Sequence, residues 1–143
     1  MAYWIFKCNP ENYRLEERLA DPNPMLTWSV TRYRTEIQIG DTVFLWVTGP
    51  KRGIRAVLKV ELPPTQMVEL ESEQSWWVER DTKVEYRVIC SLIHRDVNLS
   101  SEALKKFDEL ADLSVFTGYK QGTNYSVTPE QGRLLSQLIA GTP

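Results

Sequence analysis

The clearest signals along the chain are short stretches in which apolar side chains alternate with polar ones or run without interruption. Residues 2–8, AYWIFKC, are aromatic and β-branched and predict a first strand. Asn9 and Pro10 follow as an N-cap and first helical position, and Leu15 and Leu19 lie four apart among charges, so residues 11–20 predict a short amphipathic helix. DPNP at 21–24 ends it. The stretch from Met25 to Asp41 has no clean period; it predicts an extended piece around Trp28, a helical turn near Arg32 to Glu36, and a turn at Gly40-Asp41. TVFLWVT at 42–48 is continuously apolar and predicts a buried strand. GPKRG at 49–53 predicts a loop with hairpin character.

The return strand, 54–62, alternates Ile54, Ala56, Leu58 and Val60 against Arg55 and Lys59, and Pro63-Pro64 is expected to stop it. Residues 66–79 are expected to be extended but irregular. Within them EQSWWVERD places Trp76 and Trp77 side by side, and on a strand the two indoles would face opposite ways. Trp76 would then share a face with Val78, and Trp77 with Glu79. Residues 82–97 predict a long central strand, and 100–110 a helix capped by Ser100 or Ser101 with Leu104 and Phe107 on its apolar stripe. LSVFTGYKQGTNYSV predicts a glycine-punctuated loop ending in a short strand. Thr128, Pro129 and Gln131 form a capping-box pattern for a last helix that buries Leu134, Leu135, Leu138 and Ile139. The sum is five or six strands and three or four short helices without regular βαβ alternation, hence an α+β fold: a curved, mostly antiparallel sheet or small barrel with helices outside.

A length of 143 residues fits one domain, spanning 1–143, and is enough to bury a core. With 42% hydrophobic and 25% charged residues the chain is neither disordered nor collagen-like. No apolar run nears the roughly 20 residues that span a bilayer, and the N-terminal MAYWIFKCNP lacks the pattern of a signal peptide, so the expectation is a cytoplasmic protein with no membrane partner. Cys8 and Cys90 sit in apolar runs and are expected to be buried, reduced thiols. With them and one histidine, His94, no metal-ligand spacing arises, and no cofactor is expected. His94 is expected to be a structural or edge residue.

The net charge of −2 hides an uneven distribution. Arg32, Arg34, Lys51, Arg52, Arg55 and Lys59 outweigh Glu36 and Asp41 between 30 and 60, whereas 61–85 carries Glu61, Glu69, Glu71, Glu73, Glu79, Asp81 and Glu85 against Arg80 and Lys83. This distribution argues against a globally basic nucleic-acid binder and leaves room for a local basic patch beside a pocket. Nucleophile elbows, phosphate loops and zinc motifs are absent. Asp41 and Glu79 could serve general acid–base chemistry, although Asp41 most simply caps its turn. Five tryptophans are the unusual supply. Trp4 and Trp46 lie in strand runs and read as core. Trp28, in LTWSVTR, could wall a cleft, and aromatic walls stack on single-stranded or flipped bases at roughly 1–3 kcal/mol per base.

YWIFKCNPENY, TWSVTR, IQIGDTVFLWVTG, GIRAVLKV and the closing SVFTGYKQGTNYSVTPEQGRLLSQLI, in that order, resemble an EVE domain of the PUA-like group over essentially the whole chain. The resemblance implies a curved PUA-like β-barrel flanked by short helices, with a pocket for one modified base. EVE domains are thought to read modified bases in DNA or RNA, often in prokaryotic defence. The group is related to the YTH domain, which reads a methylated adenine in RNA through an aromatic cage. By that likeness Trp28 and Trp77 would be the cage walls, the Ser29 backbone and Asn9 or Asn12 would bond the base edge, and Arg32, Arg34, Lys51 and Arg52 would contact phosphate. The gap between the two indoles should be roughly 7 Å, twice the stacking separation. The expected partner is a nucleic acid with a methylated or hydroxymethylated base, DNA or RNA, bound by a non-enzymatic monomer with a separate or fused effector. Two alternatives stand beside this: a nucleotide-processing enzyme on the same scaffold, and a protein-interaction module using the acidic 61–85 segment.

Overall fold

The computed structural model describes residues 1–118 and 122–141. Seven strands form one sheet: β1 (Tyr3–Cys8), β2 (Met25–Ser29), β3 (Thr42–Val47), β4 (Gly53–Met67), β5 (Glu85–His94), β6 (Leu99–Ser100) and β7 (Asn124–Val127). The order is β2-β5-β4-β3-β1-β7, with the two-residue β6 also pairing on β4. Every pairing is antiparallel except β1 with β3. The helices are short: α1 (Leu15–Ala20), α2 (Glu71–Gln74), α3 (Ser101–Lys105), α4 (Ser114–Thr117) and α5 (Pro129–Ala140).

The continuous apolar character of β1 and β3 follows from their central position, since both faces of the sheet are covered. Trp4, Phe6, Cys8, Val43, Leu45 and Val47 join Leu26, Trp28 and the α1 leucines in one core. Ile5, Phe44 and Trp46 point to the other face, where Leu104 of α3 and Leu135 and Ile139 of α5 cover them. The α5 capping box forms as its sequence predicts: Gln131 N donates to the Thr128 hydroxyl, and Thr128 N to the Gln131 side chain, each at 3.1 Å. Ser100 caps α3 by accepting from Ala103 N.

The strand ladders leave the sheet open, so the barrel expected from the resemblance is not closed by strand pairing among the described residues. The two edges are nevertheless stitched by one side chain. Asn124, at the start of β7, donates from Nδ2 to the Ser29 carbonyl at the end of β2 (3.0 Å) and accepts from Thr31 N (2.8 Å). Strong curvature brings the edges within reach of one amide.

Several predicted boundaries move. The helix expected from 11 begins at Leu15, because the Asn9 side chain accepts from Glu11 N and its carbonyl from Asn12 and Tyr13 N, making a turn instead of a helix cap. Pro63 and Pro64 do not stop β4, whose register shifts on either side of Leu62 absorb the missing donors. Trp76 and Trp77 are not in a strand: they follow the α2 turn, and only a single bridge joins Trp77 to Tyr13. The helix expected over 100–110 ends at Lys105 and resumes as a 3-10 turn at Asp108–Leu110, leaving Phe107 exposed. Val115 and Phe116 stand on α4, where a loop was expected. The Tyr119, Lys120 and Gln121 part of that loop lies outside the described residues.

Gly53 is a position where the fold requires glycine. Its φ is +153°, and a Cβ there would collide with the Leu99 carbonyl of β6. The close crossing anchors the 49–52 loop against α3.

Candidate nucleic-acid interface

Three aromatic rings meet on the inner face. Trp28, near the end of β2, is 4% exposed and donates from Nε1 to the Lys7 carbonyl at 3.2 Å. Tyr13 stands edge-on to it, with ring centroids 5.1 Å apart at 84°, and edge-on to Trp77 at 4.8 Å and 62°. Trp28 and Trp77 themselves lie 6.1 Å apart with their planes 34° from parallel. The two indoles expected to pair do meet, but the parallel slot of roughly 7 Å is not open: the rings touch, and Tyr13 packs edge-on against both. Trp77 is half-buried, and its outer side lines a cleft of about 390 Å³ with Asn12, Arg80 and Lys83. Trp76 is also half-buried against the core.

The main chain beneath Trp77 is fixed while its side chain hangs on one bond. Arg14 N donates to Trp76 O and Val78 N to Asn12 O, and the Arg14 guanidinium bonds the carbonyls of Ser75 and Trp77. The Trp77 indole donates to Glu69 at 2.9 Å. Glu69 also accepts from Thr27 Oγ1 and Leu70 N.

Charges buried behind the rings form a network. Glu73 accepts from the Tyr13 hydroxyl (2.9 Å) and Arg18 Nε (3.0 Å), all buried. Burial raises the Glu73 carboxyl above its ordinary value, against the opposing pull of Arg18, and burial also raises the Tyr13 hydroxyl. Arg87 pairs with Asp81 (2.9 Å), Glu85 (3.2 Å) and Glu69 (3.7 Å). These pairs correct the view of 61–85 as a free acidic surface. Glu69 and Glu73 are buried, Asp81 and Glu85 hold Arg87, Glu71 holds Arg80, and Glu61 accepts from Ser91.

Asp41 is likewise structural. Its carboxylate accepts from Ala2 N (3.0 Å), Trp4 Nε1 (2.8 Å) and Gln38 N (2.9 Å), tying β1 to the turn before β3. Glu79 is exposed at the rim of the Trp77 cleft. His94 is exposed at the end of β5. Among the described residues, no three His, Cys, Asp or Glu side chains gather as metal ligands.

The remaining sequence candidates separate. The Ser29 carbonyl already holds Asn124, and its hydroxyl donates to Glu85 at 2.5 Å. Asn9 is exposed and used in its turn, whereas Asn12 stands beside Trp77. Arg34 lies over the Tyr86 ring at 4.5 Å. Arg32 follows the Asn124 stitch, with its backbone N 3.4 Å from Asn124 Oδ1. Lys51 and Arg52 are exposed on the loop after β3.

That loop borders a second cleft, which sequence reasoning missed. It measures about 410 Å³ and is lined by Lys7, Trp46, Thr48, Gly49, Arg52, Lys105, Val115 and Phe116, three cations and no carboxylate. Trp46 is core as expected, at 3% exposed, but its ring meets Phe116 edge-on at 5.4 Å at the cleft floor. Lys105 sits over Phe116 at 4.8 Å. Lys7 links the two sites, its carbonyl holding Trp28 and its side chain lining the cleft. Only the loop-borne Lys51 and Arg52 could be suspected from sequence, because Lys105 and Phe116 arrive from helices remote in the chain.

An α+β domain whose curved sheet holds an aromatic cluster on one face and a cationic cleft over Trp46 and Phe116 on the other is thus defined. The chain belongs to the EVE domain family, whose model matches residues 2–138. Its fold is similar to a Leishmania major protein described only as hypothetical (16% identity, 98% and 95% of the two chains covered, TM-score 0.71). It is also similar to a Pseudomonas putida protein (22% identity, 96% and 99% covered, TM-score 0.65). Human THYN1 protein, solved in complex with DNA containing 5-methylcytosine, is similar over 100% of both chains at 14% identity and TM-score 0.65. At these identities the likeness establishes the fold. No curated protein matches the chain.

Proposed function

We propose that this chain binds nucleic acid and reads one modified base, methylated or hydroxymethylated, without turning it over. The observation that carries this is the meeting of Trp28, Tyr13 and Trp77, with Trp77 lining a cleft that presents Asn12, Arg80 and Lys83 together with Glu79 and Asp81. Family membership and the 5-methylcytosine DNA bound by the THYN1 protein support the same ligand class. In this reading the rings are an aromatic cage in its collapsed form. The indoles touch, tilted by 34° with centroids 6.1 Å apart, so a stacked base, which needs a parallel slot of about 7 Å, requires an opening. Rotation of Trp77 away from Glu69, over a fixed main chain, supplies it. The base then stacks between Trp28 and Trp77 with Tyr13 at its edge. Asn12 meets its polar edge, and Asn9 holds the turn that presents Asn12; the Ser29 carbonyl, expected at that edge, is taken by Asn124.

A duplex cannot deliver a base to such a slot without flipping it out, so the target is single-stranded or extruded. Arg32, Lys51 and Arg52 would meet phosphates, with Lys7 beneath them. Arg34, laid over Tyr86, is the weakest of the phosphate candidates. Because one methyl group in an apolar pocket discriminates by only about 1–3 kcal/mol, selectivity is expected to be modest. The domain is taken to act as a cytoplasmic monomer, with its effector on a separate or fused protein. Titrating labelled oligonucleotides, DNA and RNA, each with one modified or unmodified base, tests the reading. At least one modified oligonucleotide should bind about 5–160-fold tighter than its unmodified counterpart, the range that 1–3 kcal/mol allows. Equal affinity across the whole panel would refute it.

A further inference from the structure

Two clefts share a wall. Arg52 and Lys105 line the 410 Å³ cleft over Phe116, and the same two side chains line a cleft of about 470 Å³ with Lys51, Asn98 and Ser100. The wall is rigidly set. The Gly53 crossing leaves no room for a side chain between the loop and β6, Ser101 N donates to Arg52 O at 3.0 Å, and Ser100 caps the helix bearing Lys105. The ion pairs of the described residues use Arg18, Arg55, Arg80, Arg87 and Arg133. Lys51, Arg52 and Lys105 are in none of them. Glu102 is the single carboxylate lining either cleft. Cations left unpaired along a continuous groove, with a half-buried phenyl ring at its floor, are the arrangement that tracks a single strand: charge for the backbone, a ring face for a base.

We propose that the strand carrying the read base crosses the Arg52–Lys105 wall, with one backbone phosphate in each cleft, Lys105 leaving the Phe116 ring for phosphate and freeing that ring for a neighbouring base. The ligand is then a single-stranded oligonucleotide and not a lone nucleotide, and Lys105 and Lys51 position the strand without touching the base. This rests on the base-reading site above, but the two can fail separately. For single strands the slope of log affinity against log salt falls by about 0.7 for each phosphate contact removed. Lys51→Gln with Lys105→Gln, both at exposed positions, should therefore lower the slope by about 1.4 for a labelled single-stranded oligonucleotide. The ratio of modified to unmodified affinity should not change. Lys59→Gln, exposed on β4 and remote from the wall, serves as the charge control and should leave the slope as in the wild type. A double variant with the slope of the Lys59→Gln control overturns the strand path and leaves the base reading standing. Displacement of the oligonucleotide by poly-glutamate at equal charge concentration overturns it in favour of an acidic protein partner. If the wild-type chain binds no oligonucleotide, both proposals fall.

Discussion

At the scale of single residues, buried carboxylates hold aromatic side chains in place: Asp41 accepts from Trp4, Glu69 from Trp77 and Glu73 from Tyr13. Glu73 is the clearest case, clasped by Tyr13 and Arg18 where no water reaches. Glu73→Ala would leave the Arg18 guanidinium buried and uncompensated, and a loss of about 3–5 kcal/mol in urea unfolding is expected. Glu73→Gln separates charge from shape. Burial raises the Glu73 carboxyl above 4.5, so the fold favours its protonated form. The stability this residue contributes is therefore full below the unfolded value and declines as pH rises through the raised one. Wild-type stability minus that of Glu73→Gln should fall over that window, and a difference that rises with pH would contradict the assignment. The thiols follow the same logic. Burial, with a smaller push from Glu16, lifts Cys8 to about 12, and burial lifts Cys90 as well. The folded protein at pH 8 should give no reaction with a thiol reagent, while both cysteines should react in denaturant.

At the scale of elements, the account turns on how the sheet ends are joined. β2 and β7 share no ladder, so Asn124 alone fixes the distance between them among the described contacts. Replacing it with Ala strands the Ser29 carbonyl and the Thr31 amide, at an expected cost of about 1–3 kcal/mol. Amide exchange should then accelerate in β2 and β7 before it does in β3 and β4. Uniform acceleration would mean that Asn124 is part of the global core and not a stitch. The elements also show where sequence pattern suffices. β1, β3 and α5 were legible because apolar runs and a capping box are local signals. The WW segment was not: Val78 invited a two-residue period, yet Glu71, Ser72, Glu73 and Gln74 coil into a turn that delivers Trp77 to Tyr13. Pro63-Pro64 misled for a similar reason, because register shifts at the prolines, set by pairing with the distant β5, absorb the break.

At the scale of the whole molecule, the net charge of −2 conceals a sorting of sign. Acidic side chains turn inward onto Arg18 and Arg87, and Lys51, Arg52 and Lys105, which are in none of these ion pairs, gather beyond the end of β3. Sequence displayed the acidic cluster but not its direction, since Glu73 meets Arg18 across 55 positions. Trp28 and Trp77 were legible as a pair through the family resemblance, whereas Tyr13, Lys7 and Lys105 were not, being joined to them only by the fold. The central claim is that the collapsed Trp28–Tyr13–Trp77 cluster opens to hold one modified base. The most direct measurement is the ratio of affinities for a modified and an unmodified oligonucleotide, wild type against Trp77→Ala. The account predicts a ratio well above one that falls to about one in the variant, while the shared, salt-dependent affinity stays within a few-fold. A ratio unchanged by removing Trp77 would contradict it.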